Sequence, residues 1–417
     1  ITLGHPGTLP KMNRKAIEYA VKMGLACHCE IEQHNYFARK NYFYPDLPKG
    51  YQVSQHTTPI CKTGFVTIKA GDSEKNVRLN RIHLEEDAGK SIHDIDDENT
   101  CIDYNRAGTP LIEIVTEPDI RSSDEAFAFV SEIRKLVRYL EVCDGNMEEG
   151  SLRCDANISV RIKGETKLGT RVEVKNLNSI RNVKRAIDVE AKRLIEIIEA
   201  GGTIQQQTRS FDANTGTTQA IRDKEDADDY RYFPEPDLTP FHLQDEFIEK
   251  IRRSIPVLPE ERIEKYTTKL KLSDYDASVL TEERVVSDYF EQIILHTTNY
   301  KAAANWMLGP VKSWMNENGK EITEFPLKPE QLVSLITLID EGKVNFSSAS
   351  TKIFPALLAN PDKEAASIAK EENLIQESDV SAIGPIIDQV LDKFADKVQE
   401  YKKGKKGLLA LFVGEVM

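Results

Sequence analysis

The sequence predicts an α+β protein in which a domain built on antiparallel sheet precedes a region made only of helices. In the first half of the chain, apolar side chains repeat mostly at every second position, the period of half-buried strands. A proline-rich stretch at 228–240 suits a domain border, because proline favours extended chain. Beyond it, apolar residues follow helical spacing with short connections, which is typical of a helical domain.

The composition sets the limits for this interpretation. The chain has 417 residues, 40% hydrophobic and 29% charged, which suffices for two or three domains with apolar cores. No run of about 18 apolar residues occurs, so no membrane span is predicted. Six cysteines without framework spacing indicate a reducing, cytoplasmic setting. The net charge of −13 argues against non-specific coating of nucleic acid, although a local basic patch remains compatible with it.

The N-terminal region begins with a short amphipathic helix at 13–25, for which Asn13 is the expected N-cap. The motif Cys27-His28-Cys29 follows, with His34 nearby. These side chains could bind a metal, but their spacing matches no common zinc pattern. A helix end that enters a strand is therefore the favoured interpretation.

Residues 37–55 combine five aromatic side chains with arginine and lysine, and their prolines and glycine predict a loop. Such a loop could stack on a base or a ribose and reach a phosphate. It could equally pack over a sheet edge, and the sequence leaves the two interpretations open.

Two strands are predicted on either side of the Gly71-Asp72 turn. In the second strand the apolar residues change face, which indicates a β-bulge near Asn80. Beyond the bulge, the polar face carries His83, Glu85 and Asp87.

Another strand is predicted at 111–115, where Glu113 points away from Ile112 and Ile114. A carboxylate between apolar neighbours is costly unless it is paired or binds a metal. The alternative is an edge strand that leaves Glu113 in water, and the sequence does not decide between them.

The most informative stretch is an antiparallel hairpin predicted at 152–162 and 172–175, joined by a glycine-containing turn. One face of the hairpin is apolar. The other face mixes carboxylates, cations and amides, which are the groups that bind metals and phosphates, although a solvated sheet face would look similar. These polar side chains are Arg153, Asp155, Asn157, Glu173 and Lys175.

Helices are also predicted at 122–140 and 179–200, with two strands near 204–222 after them. The first of these helices begins with the capping box Ser122-x-x-Glu125. Phe127 and Ile198 are expected on the buried faces of the two helices. The helical segments expected in the second half are 245–254, 259–270, 283–297, 301–316, 328–341, 346–358, 363–372 and 379–402.

Acidic side chains come from four strands of what the sequence predicts to be one antiparallel sheet. Their carboxylates would repel one another unless they bound divalent cations, and oxygen ligands suit Mg²⁺ or Mn²⁺. The expected metal ligands are Glu85, Glu86, Glu113, Asp155 and Glu173. All of them except Glu85 are also expected to be catalytic.

Basic and amide side chains near these acids could hold the phosphates of a nucleotide. The sequence has no G-x-x-x-x-G-K-[ST] loop, so ATP would lie on a sheet and be held through metals. The candidate phosphate ligands are Lys90, Arg153, Lys175 and Asn176. A second basic group, the lysine group, comprises Lys402, Lys403, Lys405 and Lys406. It could contact RNA phosphates, or it could simply be the solvated end of a helix.

Several motifs resemble those of one family, the GatB/GatE family, whose members are the B subunits of the tRNA-dependent aspartyl/glutamyl-tRNA amidotransferases. The resemblance runs in order through the first 240 residues, and NWMLG (305–309) and LFVGEVM (411–417) extend it. The motifs in the first part are ARKNYFYPDLPKGYQ (38–52), HLEEDAGK (83–90), NRAGTPLIEIV (105–115), EPDIRS (117–122), MEEGSLRCDAN (147–157), EVKNLNS (173–179) and DYRYFPEPDL (229–238).

The resemblance implies a cradle domain at 1–243 related to the glutamine synthetase fold, a helical domain at 244–360 and a tRNA-binding tail domain at 361–417. It implies that ATP phosphorylates the side-chain carboxylate of glutamate or aspartate misacylated on tRNA. Ammonia then displaces the phosphate and gives Gln-tRNA or Asn-tRNA. The implied partners are a glutaminase (amidase) subunit, which releases the ammonia, and a small third subunit, in a cytoplasmic heterotrimer without membrane contact.

Three departures from the family pattern affect these expectations. The family's first strand supplies a Glu and a His to the metal site (E-V-H) and would precede Ile1, so the site is expected to be incomplete. Thr2 stands where some members have their last zinc cysteine, so no zinc is expected. The family tail continues past Met417, so part of the tRNA contact is expected to be missing.

Two other functions agree with parts of the sequence. A non-catalytic tRNA-binding adaptor would tolerate changes in the acidic cluster. A free-standing ligase that forms an acyl phosphate on a small metabolite would not need the long helical half or the lysine group. The acids on one face of the strands favour an enzyme that acts on tRNA.

Overall fold

The structure is a computed structural model that describes residues 7–71, 73–92, 95–96, 98–223, 230–375 and 380–416. Thr2, Asp72 and the start of the proline-rich stretch lie outside these residues. The chain divides into two compact units, Ile1–Leu258 and Pro259–Met417. The three-domain division expected from the sequence stays a prediction. None of the described helices is long and apolar enough to cross a lipid bilayer.

Within its described residues, the first unit combines strands of 2 to 14 residues with four α-helices. The helices are α1 (Arg14–Ala26), α2 (Ser123–Tyr139), α3 (Ile180–Glu199) and α4 (Asp245–Ser254). The strands are β1 (Glu30–Ile31), β2 (His34–Asn35), β3 (Ala38–Asn41), β4 (Tyr51–Ser54), β5 (Cys61–Lys62), β6 (Phe65–Ala70), β7 (Ser73–Glu86), β8 (Lys90–Ile92), β9 (Cys101–Asp103), β10 (Pro110–Thr116), β11 (Cys154–Ile158), β12 (Val172–Leu177), β13 (Gln207–Asp212), β14 (Thr217–Asp223), β15 (Phe233–Pro234) and β16 (Phe241–His242).

The first sheet is organised around the long strand β7. Its strands run in the order β1–β5–β7–β10, all antiparallel, and β6 pairs with the first half of β7. Strand β10 is therefore an edge strand, as one of the two interpretations of the 111–115 segment expected. Smaller pairs join β3 to β4 and β15, β2 to β16, and β8 to β9.

The bulge predicted in β7 is confirmed at Asn80. Val115 pairs with Arg81, and Thr116 pairs with Leu79, which leaves Asn80 without a partner residue on β10. The extra residue changes the face of every side chain after it, so apolar residues on both sides of the bulge reach the core. These buried residues are Val77, Leu79, Ile82 and Leu84.

The second sheet contains the predicted hairpin and corrects the expectation of a single sheet. Its strands run in the order β11–β12–β13–β14, with β12 and β13 parallel and the other neighbours antiparallel. The acids on β11 and β12 thus belong to a different sheet from those on β7 and β10. The helix α3 leads from β12 to β13, and such a crossover connection is what makes these two strands parallel.

The helix termini follow the sequence signals, with one change in the capping box. Asn13 caps α1 through its side-chain oxygen, and Ser122 caps α2 by accepting a hydrogen bond from the Glu125 amide. The Glu125 carboxylate accepts from the Arg121 amide, 2.7 Å away, instead of closing the box on Ser122.

Two expected core positions are wrong. Phe127 on α2 and Ile198 on α3 are 42% and 41% exposed. The buried stripe of α2 includes Phe129 and Ile133, because the helix presents a neighbouring face to the sheet and to α3.

The second unit is helical throughout its described residues. Its core surrounds Trp306, which is buried against Phe346 and Phe354. The expected helix at 301–316 contains a π-helical turn at Met307–Val311, and a helix at 274–280 was not expected. A second π-helical turn spans Ala349–Ile353. The helices are α5 (Pro259–Thr268), α6 (Asp274–Leu280), α7 (Arg284–Ile294), α8 (Tyr300–Trp306), α9 (Lys312–Asn318), α10 (Pro329–Asp340), α11 (Phe346–Ser348), α12 (Phe354–Ala359), α13 (Ala365–Glu371), α14 (Val380–Lys393), α15 (Ala395–Lys402) and α16 (Leu409–Val416).

Candidate active site

Three side chains converge on one face of the first sheet. Glu113 on β10 lies directly opposite His83 on β7, and Glu85 follows two residues along β7 on the same face. His83 Nε2 lies 3.8 Å from Glu113 Oε2 and 3.9 Å from Glu85 Oε2. One donor atom from each of the three residues lies within 4.8 Å of the other two, and this is the only such metal-ligand grouping among the described residues.

The electrostatics of this cluster suit a cation. Burial, together with the nearby Arg81, Lys40 and His56, lowers the pKa of His83 to about 3. The imidazole is therefore neutral, and one ring nitrogen keeps a lone pair that it can donate to a metal ion. Burial and the Glu113 charge raise the pKa of Glu85. Two carboxylates held this close repel each other, and a divalent cation would relieve that repulsion.

His83 was not identified as a candidate ligand by sequence reasoning. Its ring is buried, and among the described residues its Nδ1 atom has no hydrogen-bond partner. The strand parity did place His83 on the polar face with Glu85, so a search for nitrogen as well as oxygen ligands would have found it. The two carboxylates suit Mg²⁺ or Mn²⁺, and the imidazole nitrogen extends the set towards transition metals.

Glu86 is positioned on the opposite face of β7 from this cluster. Its Oε1 accepts a hydrogen bond from the Val53 amide, 2.9 Å away on β4, and pairs with Lys49. The Glu86 carboxylate therefore joins β4 to the end of β7, and its expected role as a metal ligand stays a prediction.

The second sheet carries a separate group of charges. Lys175 Nζ lies 2.5 Å from Asp155 Oδ2 and 3.6 Å from Glu173 Oε1. Burial tends to lower the pKa of Lys175, but the two carboxylates outweigh it and raise the pKa above its usual value. Glu173 also accepts a hydrogen bond from the Thr208 hydroxyl, at 3.0 Å. Lys175 is thus a fixed cation between two acids.

An ion-pair network connects the two sheets. Asp87, just after β7, accepts hydrogen bonds from Arg106 and from Arg153, which precedes β11, at 2.7 and 2.8 Å. The positive charge of Arg153 also acts on Glu85 and partly offsets the rise in its pKa. Arg153 is therefore an expected phosphate ligand whose charge acts on a residue of the His83 cluster.

The other expected ligands lie in different surroundings. Lys90 is exposed on β8, opposite Asp103. Asn176 has a left-handed backbone with φ of 65°, and its side-chain amide donates to the Phe211 carbonyl at 3.3 Å. The lysine group lies at the end of α15 and in the turn that follows, exposed to solvent; it comprises Lys402, Lys403, Lys405 and Lys406. The functions of these residues stay predictions.

Aromatic side chains lie near the first cluster, since the charge of Glu85 acts on the pKa of both Tyr42 and Tyr232. Tyr42 packs edge-on against Tyr44 and Tyr230, and the His56 ring stacks on Tyr232 with centroids 4.0 Å apart. Burial, Tyr230 and Glu85 raise the pKa of Tyr232 to about 12. The segment 37–55, predicted to be a loop, instead forms the paired strands β3 and β4, and the shorter loop between them leaves Phe43 80% exposed. Both interpretations of this segment therefore remain compatible with the fold.

The Cys27-His28-Cys29 motif agrees with its structural interpretation. Both thiols are buried, and the Cys29 thiol donates to the Thr63 carbonyl at 3.0 Å. The His28 ring stacks on Phe65, with centroids 4.5 Å apart. The motif thus supports the junction between α1 and the first sheet.

The fold and the site define the class: an α+β protein with a candidate metal centre made of one buried, neutral histidine and two glutamates. Two family models match the chain: the GatB/GatE catalytic domain over residues 1–249 and the GatB domain over residues 288–417. The chain belongs to the GatB/GatE family, which confirms the resemblance seen in its motifs.

Relatives that match along the whole chain agree with this assignment. Proteins named as the B subunit of aspartyl/glutamyl-tRNA(Asn/Gln) amidotransferase from Thermodesulfovibrio yellowstonii, Syntrophotalea carbinolica and Pelodictyon phaeoclathratiforme are 48%, 47% and 49% identical to the chain. Each similarity covers 100% of this chain and 87% of the relative.

Proposed function

We propose that the chain is the subunit of a tRNA-dependent amidotransferase that converts misacylated Glu-tRNA(Gln), Asp-tRNA(Asn) or both to Gln-tRNA(Gln) and Asn-tRNA(Asn). ATP phosphorylates the side-chain carboxylate of the misacylated amino acid, and ammonia then displaces phosphate to form the amide. The similarity over the whole chain to proteins named as this subunit supports the overall reaction. The chemistry of the His83 cluster supports the phosphorylation step.

In this proposal Glu85, Glu113 and His83 hold Mg²⁺ or Mn²⁺. Glu86, Asp155 and Glu173 stay predicted ligands, because their carboxylates are paired with Lys49 and Lys175 outside this cluster. When bound, the cation would neutralise phosphate charge and polarise the phosphoryl group. Once a cation holds both carboxylates in their ionised forms, the imidazole and the two carboxylates have a net charge of −2, which a single divalent cation balances. No proton transfer is assigned to His83, since its low pKa keeps it neutral.

The cationic side chains would bind the phosphates directly. Lys175 is held between Asp155 and Glu173, which raise its pKa, so it would offer a fixed cationic donor to a transferring phosphoryl group. The guanidinium of Arg153 donates to Asp87 through one nitrogen, and the Arg153 side chain as a whole is 48% exposed. Its outer edge suits bidentate contact with a phosphate. The tyrosines around the cluster offer faces for the base of ATP.

We further propose that the first domain has a glutamine synthetase-like cradle fold and that the tail domain at 361–417 binds tRNA through its lysine group. Ammonia would come from a glutaminase subunit, while a small third subunit would complete a cytoplasmic heterotrimer. The names of the relatives, which identify each as one lettered subunit of an amidotransferase, support an assembly of several subunits.

The single observation that carries the catalytic proposal is the convergence of Glu85, Glu113 and His83. The test is to assemble the enzyme with the glutaminase and the small third subunit, and to follow amidation of Glu-tRNA(Gln) and release of ADP. The Glu113→Gln variant should lower the rate of both by about a hundredfold or more, because it removes a charge that the cation needs.

A matched control lies on the same edge of the sheet. Glu117 follows β10 and accepts a hydrogen bond from Asn80, so Glu117→Gln changes the same chemical group outside the cluster. This control should keep nearly full activity. Normal amidation and ADP release by Glu113→Gln, together with normal tRNA affinity, would instead favour the non-catalytic adaptor.

A further inference from the structure

The side chain of Asp87 is only 6% exposed and lies where the two acid-bearing sheets meet. It follows the end of β7, two residues beyond Glu85, and its backbone is fixed on both sides. The Asp87 amide donates to the Thr109 carbonyl, and the Asp87 carbonyl accepts from the Gly108 amide, both at 2.8 Å. The carboxylate therefore has little freedom to move.

The same carboxylate oxygen of Asp87 accepts from two guanidinium groups. Arg106 donates through Nε at 2.7 Å, and Arg153 donates through Nη2 at 2.8 Å. One carboxylate compensates only one of the two cations, so the network keeps a positive charge in excess. Because half of the Arg153 side chain is exposed, the charge that Asp87 does not compensate is accessible to an anion from solvent.

The two arginines differ in how much they are fixed. Arg106 also donates to the Gly150 carbonyl at 3.2 Å, and a side chain at Gly150 would lie 3.1 Å from the Arg106 guanidinium. Arg106 thus joins Asp87 to the loop before β11. Arg153 is 48% exposed and has Asp87 as its ion-pair partner among the described residues, so the excess charge is available to a ligand at Arg153.

We propose that Asp87 is a positioning residue that orients Arg153 towards a bound phosphate and aligns the two sheets into one site. The charge of Arg153 acts on Glu85 of the His83 cluster, and Arg153 directly precedes β11, the strand that carries Asp155. This inference rests on the proposed function, because it assumes that ATP is the phosphate donor. Asp87 itself contacts neither the metal nor the substrate.

The test is a double-mutant cycle on the enzyme assembled with its partner subunits. Asp87→Asn and Arg153→Gln are made singly and together, and kcat and the KM for ATP are measured with charged tRNA. Each single variant should raise the KM for ATP by about tenfold to a hundredfold, the range expected for a lost charged hydrogen bond. If Asp87 acts through Arg153, adding Asp87→Asn to Arg153→Gln should change the KM little further.

Asp119→Asn is the control for a purely structural effect. Asp119 makes an ion pair with Arg78, which lies on β7 outside the network of Asp87, Arg106 and Arg153. The Asp119→Asn variant should lower stability without changing the KM for ATP. If Asp87→Asn does not fold, Asp87→Glu replaces it in the cycle, since it keeps the charge but displaces the guanidinium, and a smaller rise in KM that disappears with Arg153→Gln is then expected.

The possible failures are distinguishable. An unchanged KM for ATP in the Asp87 variant, or a KM effect that persists in full with Arg153→Gln, overturns the positioning role and leaves the proposed function intact. A wild-type enzyme that amidates tRNA without consuming ATP overturns the proposed phosphorylation and this inference together.

Discussion

At the scale of single residues, burial decides which titratable groups are chemically useful. His83 and Glu85 lie two residues apart on one strand, and burial drives both towards their neutral forms, lowering the pKa of one and raising that of the other. Glu113 is the more exposed of the two carboxylates, with 46% of its side chain accessible against 12% for Glu85. A site assembled from these three groups therefore has a ligand that needs no deprotonation and a carboxylate that a cation would stabilise.

An ion pair outside the site gives a prediction about acid stability. Asp119 accepts hydrogen bonds from the Arg78 side chain at 2.7 and 2.9 Å and from the Arg78 amide at 3.0 Å, and these lower its pKa to about 2. Because the folded-state pKa lies below the unfolded one, the pair stabilises the protein fully above about pH 4 and loses this contribution as the pH falls towards 2.

Asp119→Asn should therefore cost about 1 kcal/mol at pH 7, since Arg78 is largely exposed, and the cost should shrink at low pH. Urea unfolding of both proteins between pH 2 and 7 measures this difference. A penalty that stays constant over the whole range would mean that the ionisation of Asp119 does not contribute.

At the scale of elements, the bulge at Asn80 determines which side chains reach the site. Without an extra residue in β7, the strand could not keep Val77 and Leu79 in the core and also place His83 opposite Glu113 with Glu85 on the same face. The Asn80 side chain donates to Glu117 at 2.8 Å, which fastens the bulge to the end of β10. The bulge is thus the element that makes one strand serve both the core and the cluster.

Deleting Asn80 should therefore destabilise the first unit by about 3 kcal/mol or more, because one half of β7 would present its apolar residues to water. Asn80→Ala keeps the residue count and loses one exposed hydrogen bond, so about 1 kcal/mol is expected. Denaturant unfolding and Mn²⁺ binding measured on both variants check this. Wild-type Mn²⁺ affinity in the deletion variant would contradict the role assigned to the bulge.

At the scale of the whole molecule, each unit has a hydrophobic core of its own. One core extends from Ile17 to Ile251 and includes residues from both major sheets, whereas the other extends from Tyr266 to Ala369. Every residue of the candidate metal and phosphate site belongs to the first unit, and the lysine group belongs to the second. The proposed phosphate chemistry and the proposed tRNA contact therefore belong to two parts of the chain with separate cores.

A fragment of residues 1–258 should consequently fold alone and keep the Mn²⁺ affinity of the full chain within about threefold, since its core and cluster are intact. It should bind tRNA more weakly, because the lysine group is absent. Calorimetry, Mn²⁺ titration and filter binding of tRNA measure the three properties. Fragment unfolding without a cooperative transition would show that the first unit depends on the second.

The candidate site was partly predictable because strand periodicity and side-chain chemistry are local properties. Parity alone placed Glu85 and Glu113 on polar faces and located the bulge at Asn80. It could not show that Glu86 bonds to Val53 or that Arg153 pairs with Asp87, since those partners are far apart along the chain. It also placed Phe127 in the core. Helical spacing shows that a helix has an apolar face, but it does not fix which residues of that face meet the sheet.

The sequence by itself determined the α+β class, most helix and strand positions, the family and the residue types at the site. Each of these follows from periodicity, capping and motif, which are encoded within short segments. Only the tertiary structure decided that the acids lie on two sheets rather than one, and that His83 completes the first cluster. The physical reason is that strand order depends on long-range pairing and burial, which no local pattern fixes.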